Sequence, residues 1–247
     1  MAKPYFLSLD FRYKLASIGV HEQVIRDLFR QTFFLGTPVD SEIRHFQYYE
    51  DLCLSWYLLH DKQGSVVVID TESDQVVGYA LLCLDPDAYQ RWVNRHARRL
   101  CIRVMASFVS RRLTATDKAF YWNRALDSLT VVRSRSRTSS SAVPHVHMNL
   151  KSDARAGRPA LMLLSHVDGA CAQAGFDSWV GEINAIEGSR HKAVRRLIGD
   201  IEDVVVNRTA SYFLNSRVVR MTVRRECGGK DRRTADMRSV SHAKSWD

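Results

Sequence analysis

Residues 144–164 read PHVHMNLKSDARAGRPALMLL, and the change of pattern inside them decides the fold. Val146, Met148 and Leu150 alternate with His145, His147 and Asn149, the period of a strand with two different faces. Lys151, Ser152 and Asp153 break the alternation, and Ala154-Arg155-Ala156-Gly157 supplies small residues around one cation. Pro159 then stands just before ALMLL, placed as a helix opener, because its missing N–H has no intrahelical partner to lose. The stretch is therefore strand, basic small-residue loop, helix N-terminus. Such a loop attracts phosphate: unpaired N–H groups and the positive end of the helix dipole point into it, and Arg155 and Arg158 add full charges.

Outward from this stretch, residues 65–70 (SVVVID) and 75–84 (QVVGYALLCL) are two strands joined by the polar turn Thr71-Glu72-Ser73-Asp74. Gly78 marks a bulge or a close approach of another backbone. Upstream, residues 5–9 alternate enough for a first strand, and residues 22–34 form a helix with Val24, Ile25, Leu28 and Phe29 inward. Gly36-Thr37-Pro38 stops it. Asp40 or Ser41 is placed to cap a second helix running to about Leu59, with Phe46, Tyr49, Leu52, Cys53, Trp56 and Tyr57 on its apolar side. Downstream, residues 159–174 are helical and closed by Gly175, residues 177–185 form a strand, and residues 189–198 a short helix closed by Gly199. Residues 204–207 and 217–224 complete the sheet, with residues 209–214 as their connection.

HVHMNLKSDAR followed by Ala160 and an apolar helix resembles the central motif of the GNAT (GCN5-related) N-acetyltransferases, in which His-x-His-x-Asn-Leu-x-x-x-Ala-Arg leads into an R-x-x-G-x-G/A loop. Arg155 matches the loop's first position and Ala160 its last; Arg158 stands where the family has glycine, and Gly157 lies one place early. VVGY in the hairpin is similar to the family's third strand, and TFFLGTPVD to a segment of actinobacterial members. The resemblance implies an α/β (α+β) fold: a mixed, mostly antiparallel central sheet with a splay between its fourth and fifth strands, and flanking helices. It implies acetyl-CoA as co-substrate and an amine of a small molecule or protein as acceptor. It assigns the cofactor to Met148, Asn149, Leu150, Arg155, Ala156, Gly157, Arg158, Ala160 and Leu161, with the backbone N–H of Met148 or Asn149 facing the thioester oxygen. No metal is implied.

Amine acetylation asks for a proton acceptor near the amine and a proton donor for the leaving thiolate. Glu182, on the strand expected to splay, is the candidate base, acting through water; a salt-bridged sheet carboxylate is its structural alternative. The tyrosine that commonly protonates the thiolate in this family is absent, because Val194-Arg195 occupy its place. Tyr212 is the candidate substitute, and simple packing with Phe213 its alternative. His145 and His147 share a face without a third ligand nearby and read as core or pocket-wall histidines. Ser165-His166 lacks a Gly-x-Ser-x-Gly elbow, which sets nucleophilic catalysis aside. The altered loop and missing tyrosine keep a second function open, a GNAT-fold acyl-CoA-binding or regulatory protein without turnover.

Residues 85–142 exceed the family's short connection and read as a helical insertion beside the sheet, removable without loss of the acyl-CoA site. Asp85-Pro86-Asp87 starts one helix, with Val93, Ala97, Leu100, Cys101, Val104 and Phe108 on one face and Arg91, Arg95, Arg98, Arg99 and Arg103 mostly on the other. A second helix spans about 117–132, and SRSRTSSS at 134–141 is a flexible basic linker by composition. The arginines are a solvated face, a lid over the acceptor, or a membrane-touching surface.

The chain has 247 residues, 45% of them hydrophobic, enough for one sizeable core, placed at 1–226, and a basic tail at 227–247 too polar to fold. Five scattered cysteines, never spaced as CxxC, point to reduced thiols in a cytoplasmic protein and away from zinc. No apolar run approaches a membrane span. The net charge of +9 suits a polyanion such as coenzyme A; nucleic acid is not expected, because no stacking-aromatic motif accompanies the basic residues, and a homodimer is left open.

Overall fold

The computed structural model describes residues 12–39, 42–60, 62–135, 143–155, 157–188 and 191–227. The expected strand at 5–9, the Asp40 or Ser41 cap, Ala156, most of the 134–141 linker and the tail beyond Cys227 lie outside the described residues. Seven strands form one sheet: β1 (Tyr13–Ser17), β2 (Val66–Asp70), β3 (Gln75–Cys83), β4 (His145–Leu150), β5 (Ser178–Ile186), β6 (Asp200–Val206) and β7 (Val218–Glu226). Their spatial order is β1-β2-β3-β4-β5-β7-β6. Every neighbouring pair is antiparallel except β4 and β5.

All five residues of β2 are buried, which is why VVVID reads as a near-continuous apolar run. Asp74 takes φ +52° to close the turn. Val68 pairs with Gly78 and Ile69 with Val76, so Val77 is bulged out beside Gly78. Gly78 is also a point of close approach: a Cβ there would lie 2.4 Å from Leu150 Cδ2 and 3.0 Å from the Asn149 carbonyl.

Helices cover both faces. One face carries α1 (Glu22–Thr32), α2 (Phe46–Leu59), α4 (Ala115–Arg135) and α7 (Arg208–Leu214); the other carries α5 (Arg158–Gln173) and α6 (His191–Leu197). The second helix starts at Phe46, well after the expected cap, with His45 in the left-handed region at φ +65° and its ring nitrogen 2.8 Å from Ser107 Oγ on α3 (Pro86–Val109). Leu54 and Leu58 join its buried side, and so does Glu50. Glu50 is a buried carboxylate, stable there because Arg26 donates to it at 2.9 Å and Arg30 pairs with its other oxygen.

The expected stripe of α3 is shallow. Leu100 is buried, Val93, Ala97 and Val104 are half-buried, and Cys101 and Phe108 are exposed. All five arginines at 91, 95, 98, 99 and 103 are exposed. The helix after it starts earlier than 117, at Ala115, where Thr114 and Asp117 cap each other: the Thr114 amide donates to Asp117 Oδ2 at 2.8 Å and the Asp117 amide to Thr114 Oγ1 at 3.1 Å. This segment supplies part of the core. Phe120 is 0% exposed and packs against Phe46, Tyr49 and Phe33. Asp117 also accepts from the Arg44 amide at 2.7 Å, and Tyr121 Oη donates to the Arg44 carbonyl at 2.7 Å. Removing the segment would take Phe120 out of this core.

The connection at 209–214 is a helix, α7, capped by the Asn207 side chain, which accepts from the Ala210 amide. The sixth strand begins at Asp200, four residues before the expected start. Among the described residues, no helix is long and apolar enough to cross a membrane.

Candidate functional site

The feature that sets this sheet apart is the ending of its one parallel pair. β4 and β5 are in register only at His145 with Val180 and Val146 with Gly181. Beyond that point Met148, Asn149 and Leu150 on one strand and Glu182, Ile183 and Asn184 on the other belong to no shared ladder, and a gap opens between them. Which groups face it follows from alternation. The Lys151 amide donates to the Val77 carbonyl of the neighbouring strand β3, so Lys151, Asn149 and His147 turn their backbone groups toward β3. The Pro144 carbonyl accepts from the Val180 amide, so Val146, Met148 and Leu150 turn theirs toward β5. The Met148 N–H therefore points into the gap, and the Asn149 N–H does not. The Asn149 side chain instead donates to the buried Tyr79 hydroxyl at 2.8 Å.

The loop after β4 is a single 3-10 turn, Ser152–Ala154, that leads to Arg155. Arg155 donates from Nε to the Leu150 carbonyl at 3.1 Å and from Nη1 to the Leu35 carbonyl at 2.8 Å. It thereby ties the end of β4 to the turn after α1, where Gly36 has φ +105° and a Cβ would stand 3.2 Å from Arg155 Nη2. Gly157, at φ +126°, is the residue before α5; Arg158 opens the helix and Pro159 is its second residue. The amides of Arg158 and Ala160 belong to the first helical turn, where no intrahelical acceptor exists, while the Leu161 amide bonds back to the Gly157 carbonyl at 3.3 Å. Arg158 and Leu161 are exposed, Ala160 is half-buried, and a Cβ on Gly157 would meet nothing within 4 Å.

On the face covered by α1, α2, α4 and α7, the gap is bordered by side chains with chemistry. His147 lies among Phe29, Tyr57 and Tyr79. Burial pushes its imidazole down to about 4, against the opposing effects of a hydrogen bond to the Cys53 backbone and the nearby charge of Glu182, so the ring is neutral at pH 7. Glu182 keeps 35% of its side chain exposed and has Arg220 Nε 3.5 Å from Oε2. Burial raises the Tyr49 hydroxyl and pushes the Cys53 thiol up to about 11, while Arg124 and Arg220 act in the opposite sense on both. Asn184, on the same face as Glu182, accepts from Asn207 at 2.8 Å. Tyr212 is 60% exposed on α7, its ring 5.2 Å from Phe213, which stacks on Phe34.

Met148 and Leu150 lie on the β4 side of the gap and Glu182 on the β5 side, while Gly157, Arg158 and Ala160 stand at the start of α5, seven residues or more beyond the end of β4. Asn149 and Arg155 support that opening through bonds to the protein itself, and Tyr212 sits on the covering helix. Two residues escaped the sequence reading. Arg124 was one polar residue in an insertion helix whose register was set only approximately, and Arg220 one of several arginines in a terminal strand. The signal in the sequence was alternation: Arg220 sits between the buried Val219 and Met221, opposite Asn184. Among the described residues, no three histidine, cysteine, aspartate or glutamate side chains form a group able to hold a metal ion.

No family model matches this chain, and no curated protein matches it either. Solved structures do. A mosquito arylalkylamine N-acetyltransferase, like 5b, is 14% identical, with a TM-score of 0.51 over 87% of this chain and 99% of that one. A point mutant of an agmatine N-acetyltransferase, in its apo form, is 12% identical, also with a TM-score of 0.51, over 87% and 99% of the two chains. The protein yncA of Salmonella typhimurium, solved with its cofactor acetyl-CoA, covers 89% of this chain and 96% of its own at 11% identity, with a TM-score of 0.45, too loose a superposition to place a ligand here. At these identities the likeness establishes the fold.

Proposed function

We infer that this chain, which has the GNAT acetyltransferase fold, is an acyl-CoA-dependent N-acetyltransferase acting on an amine. The observation that carries the reading is the ending of the β4–β5 pair after two residues, with the Met148 N–H turned into the gap and the N-terminus of α5 beside its mouth. A thioester needs such an edge. Its pantetheine amides find backbone partners there, and a donor aimed at the carbonyl oxygen stabilises the negative charge that develops on attack. The two first-turn amides of α5 and the exposed Arg158 supply the matching place for a pyrophosphate, with Pro159 taking one donor out of the cradle.

In this reading the acceptor nitrogen attacks the thioester carbon, a C–N bond forms, the C–S bond breaks, and the amine's proton must leave. Glu182 accepts it through water, its carboxylate positioned by Arg220. The neutral His147, already bonded to the Cys53 backbone, holds the strand face beside Glu182 rather than competing as a cation. Met148 donates its N–H to the oxyanion. Tyr212 is the proposed source of the thiolate's proton, from a helix that covers the same face.

Two observations favour a second reading, an acyl-CoA-binding module without turnover: Arg155 bonds two backbone carbonyls, and the place of the usual tyrosine is taken by Val194-Arg195 of α6, with Val194 buried. A thiol-release assay with acetyl-CoA and a panel of primary amines separates the two. The enzyme reading expects amine-dependent release of coenzyme A. Tight acetyl-CoA binding with no release for any amine would leave the binding module.

A further inference from the structure

We propose that the amine acceptor also carries a carboxylate, and that Arg124 of α4 is the residue that recognises it, with Arg220 of β7 adding a second cation to the same pocket. The proposal rests on the acetyltransferase reading above and narrows it to a substrate class.

Arg124 reaches the core from the segment that the compact family pattern lacks. Its guanidinium carbon lies 5.2 Å from the centre of the Phe33 ring, 5.1 Å from Tyr49 and 5.8 Å from Phe120. Its Nε is buried and has no hydrogen-bond partner among the described residues. A guanidinium carries five N–H donors in a fixed fork, and an unmade buried bond to a charged donor is costly. Other buried cations among the described residues are matched: Arg26 by Glu22, Glu50 and Asp51, Arg225 by Asp168. Arg124 is held by ring faces, which orient a guanidinium without using its N–H groups. A planar two-oxygen anion is what the fork would accept bidentately.

Arg124 packs on the same face of the sheet as Glu182 and Arg220. Arg124 lies 5.1 Å from the Tyr49 ring on α2 and Arg220 lies 3.5 Å from Glu182 on β5, and both charges oppose the upward shift of the Tyr49 hydroxyl and the Cys53 thiol. Arg220 is 13% exposed and is paired with Glu182, the proposed base. Glu182 also acts on His147, whose ring bonds the Cys53 backbone. Glu50, which also acts on Cys53, is already matched by Arg26 and Arg30, so Arg124, Arg220 and Glu182 leave one positive charge in excess here. That excess repels a simple ammonium and suits an amine whose far end is negative. The arginines of α3 at 91, 95, 98, 99 and 103, which all face solvent, contribute nothing to this selection.

The test uses pairs of amines that differ only in the carboxylate: phenylalanine with phenethylamine, and arginine with agmatine. Coenzyme A release by the full chain gives kcat/KM for each, and the expected result is at least a tenfold preference for the carboxylate member of one pair. Arg124→Gln should reduce that preference to within about twofold while leaving acetyl-CoA affinity unchanged, and Arg124→Lys should restore part of it. Because Arg124→Gln also removes packing on three rings, a wild-type readout stands beside it: the carboxylate member should raise the melting temperature without acetyl-CoA present, and the decarboxylated member should not. Equal or better transfer to the decarboxylated amines, or a preference unchanged in Arg124→Gln, overturns the carboxylate site and leaves the acetyltransferase reading intact. Failure of acetyl-CoA to bind would instead overturn that reading, and the melting shift would still decide whether the anion site exists.

Discussion

The carboxylate of Asp127 on α4 holds Thr209 on α7 twice, accepting from its amide at 3.1 Å and from its hydroxyl at 2.7 Å, and takes the Arg208 amide at 2.8 Å as well. One side chain thus caps the start of a helix 82 residues further along the chain. The segment that looked separable is fastened at this point to the β6–β7 connection, and at Asp117 to the turn before α2. Asp127→Ala leaves the buried amide and hydroxyl of Thr209 and the part-buried Arg208 amide without acceptors. The expected cost is about 2–3 kcal/mol, read as a fall in melting temperature of roughly 5–10 °C for a chain of this size. A loss below about 1 °C would mean that water replaces the carboxylate at no cost.

Phe120 makes the same point from the apolar side. It is fully buried among Phe33, Phe46 and Tyr49, so Phe120→Ala should cost about 3–5 kcal/mol. Deleting residues 87–141 should give an insoluble or molten product rather than a smaller acyl-CoA binder. Near-ultraviolet circular dichroism of the deletion checks this: a native-like signal would restore the separable insertion.

Much of this was legible. The hairpin at 65–84 and the strand–loop–helix at 144–164 carry their periods openly, because each buries one kind of side chain per face or both faces at once. The core role of the insertion was not, because α4 buries few side chains and these belong to a contact with helices far away in sequence; an exposed Trp122 and Leu129 blur its period further. Helix α7 was hidden by its length of seven residues, too short for a periodic signal, although Asn207 as its cap was readable. Alternation placed His147 and Asn149 on one face, but which amide faces the gap depended on the register with β3, and no sequence pattern states a register.

Two arginines in the phosphate loop should separate by experiment. Arg155 bridges two carbonyls of different elements, a task for a planar fork that a lysine does not reproduce. Arg155→Lys should lower stability by about 1–3 kcal/mol even without ligand. Arg158 is exposed at the first turn of α5, so Arg158→Glu should leave the melting temperature within a degree or two and weaken acetyl-CoA roughly tenfold or more, about 1.4 kcal/mol. Equal affinity for Arg158→Glu and wild type by titration calorimetry would put the phosphates elsewhere.

His147 makes stability depend on pH. Its imidazole titrates near 4 in the folded chain, against 6.5 for the ordinary residue, because burial disfavours the cation. Between those values the unfolded chain binds a proton that the folded chain does not. The contribution is therefore fully present above about pH 6.5 and is lost as the pH falls toward 4, by up to about 3 kcal/mol. His147→Gln should remove this part of the slope. Urea midpoints at pH 7 and pH 5 check it: equal pH dependence in the two proteins would mean that the ring is solvated.

The central claim is that the gap between β4 and β5 receives the acyl-CoA. Residue-resolved amide hydrogen exchange, with and without saturating acetyl-CoA, tests it most directly. The Met148 amide points into the gap and should exchange quickly in the free protein, then become protected at least tenfold on binding. The Asn149 amide, one residue on, faces β3 and should be protected in both states. Binding with no change at Met148, or no binding at all, would contradict the account.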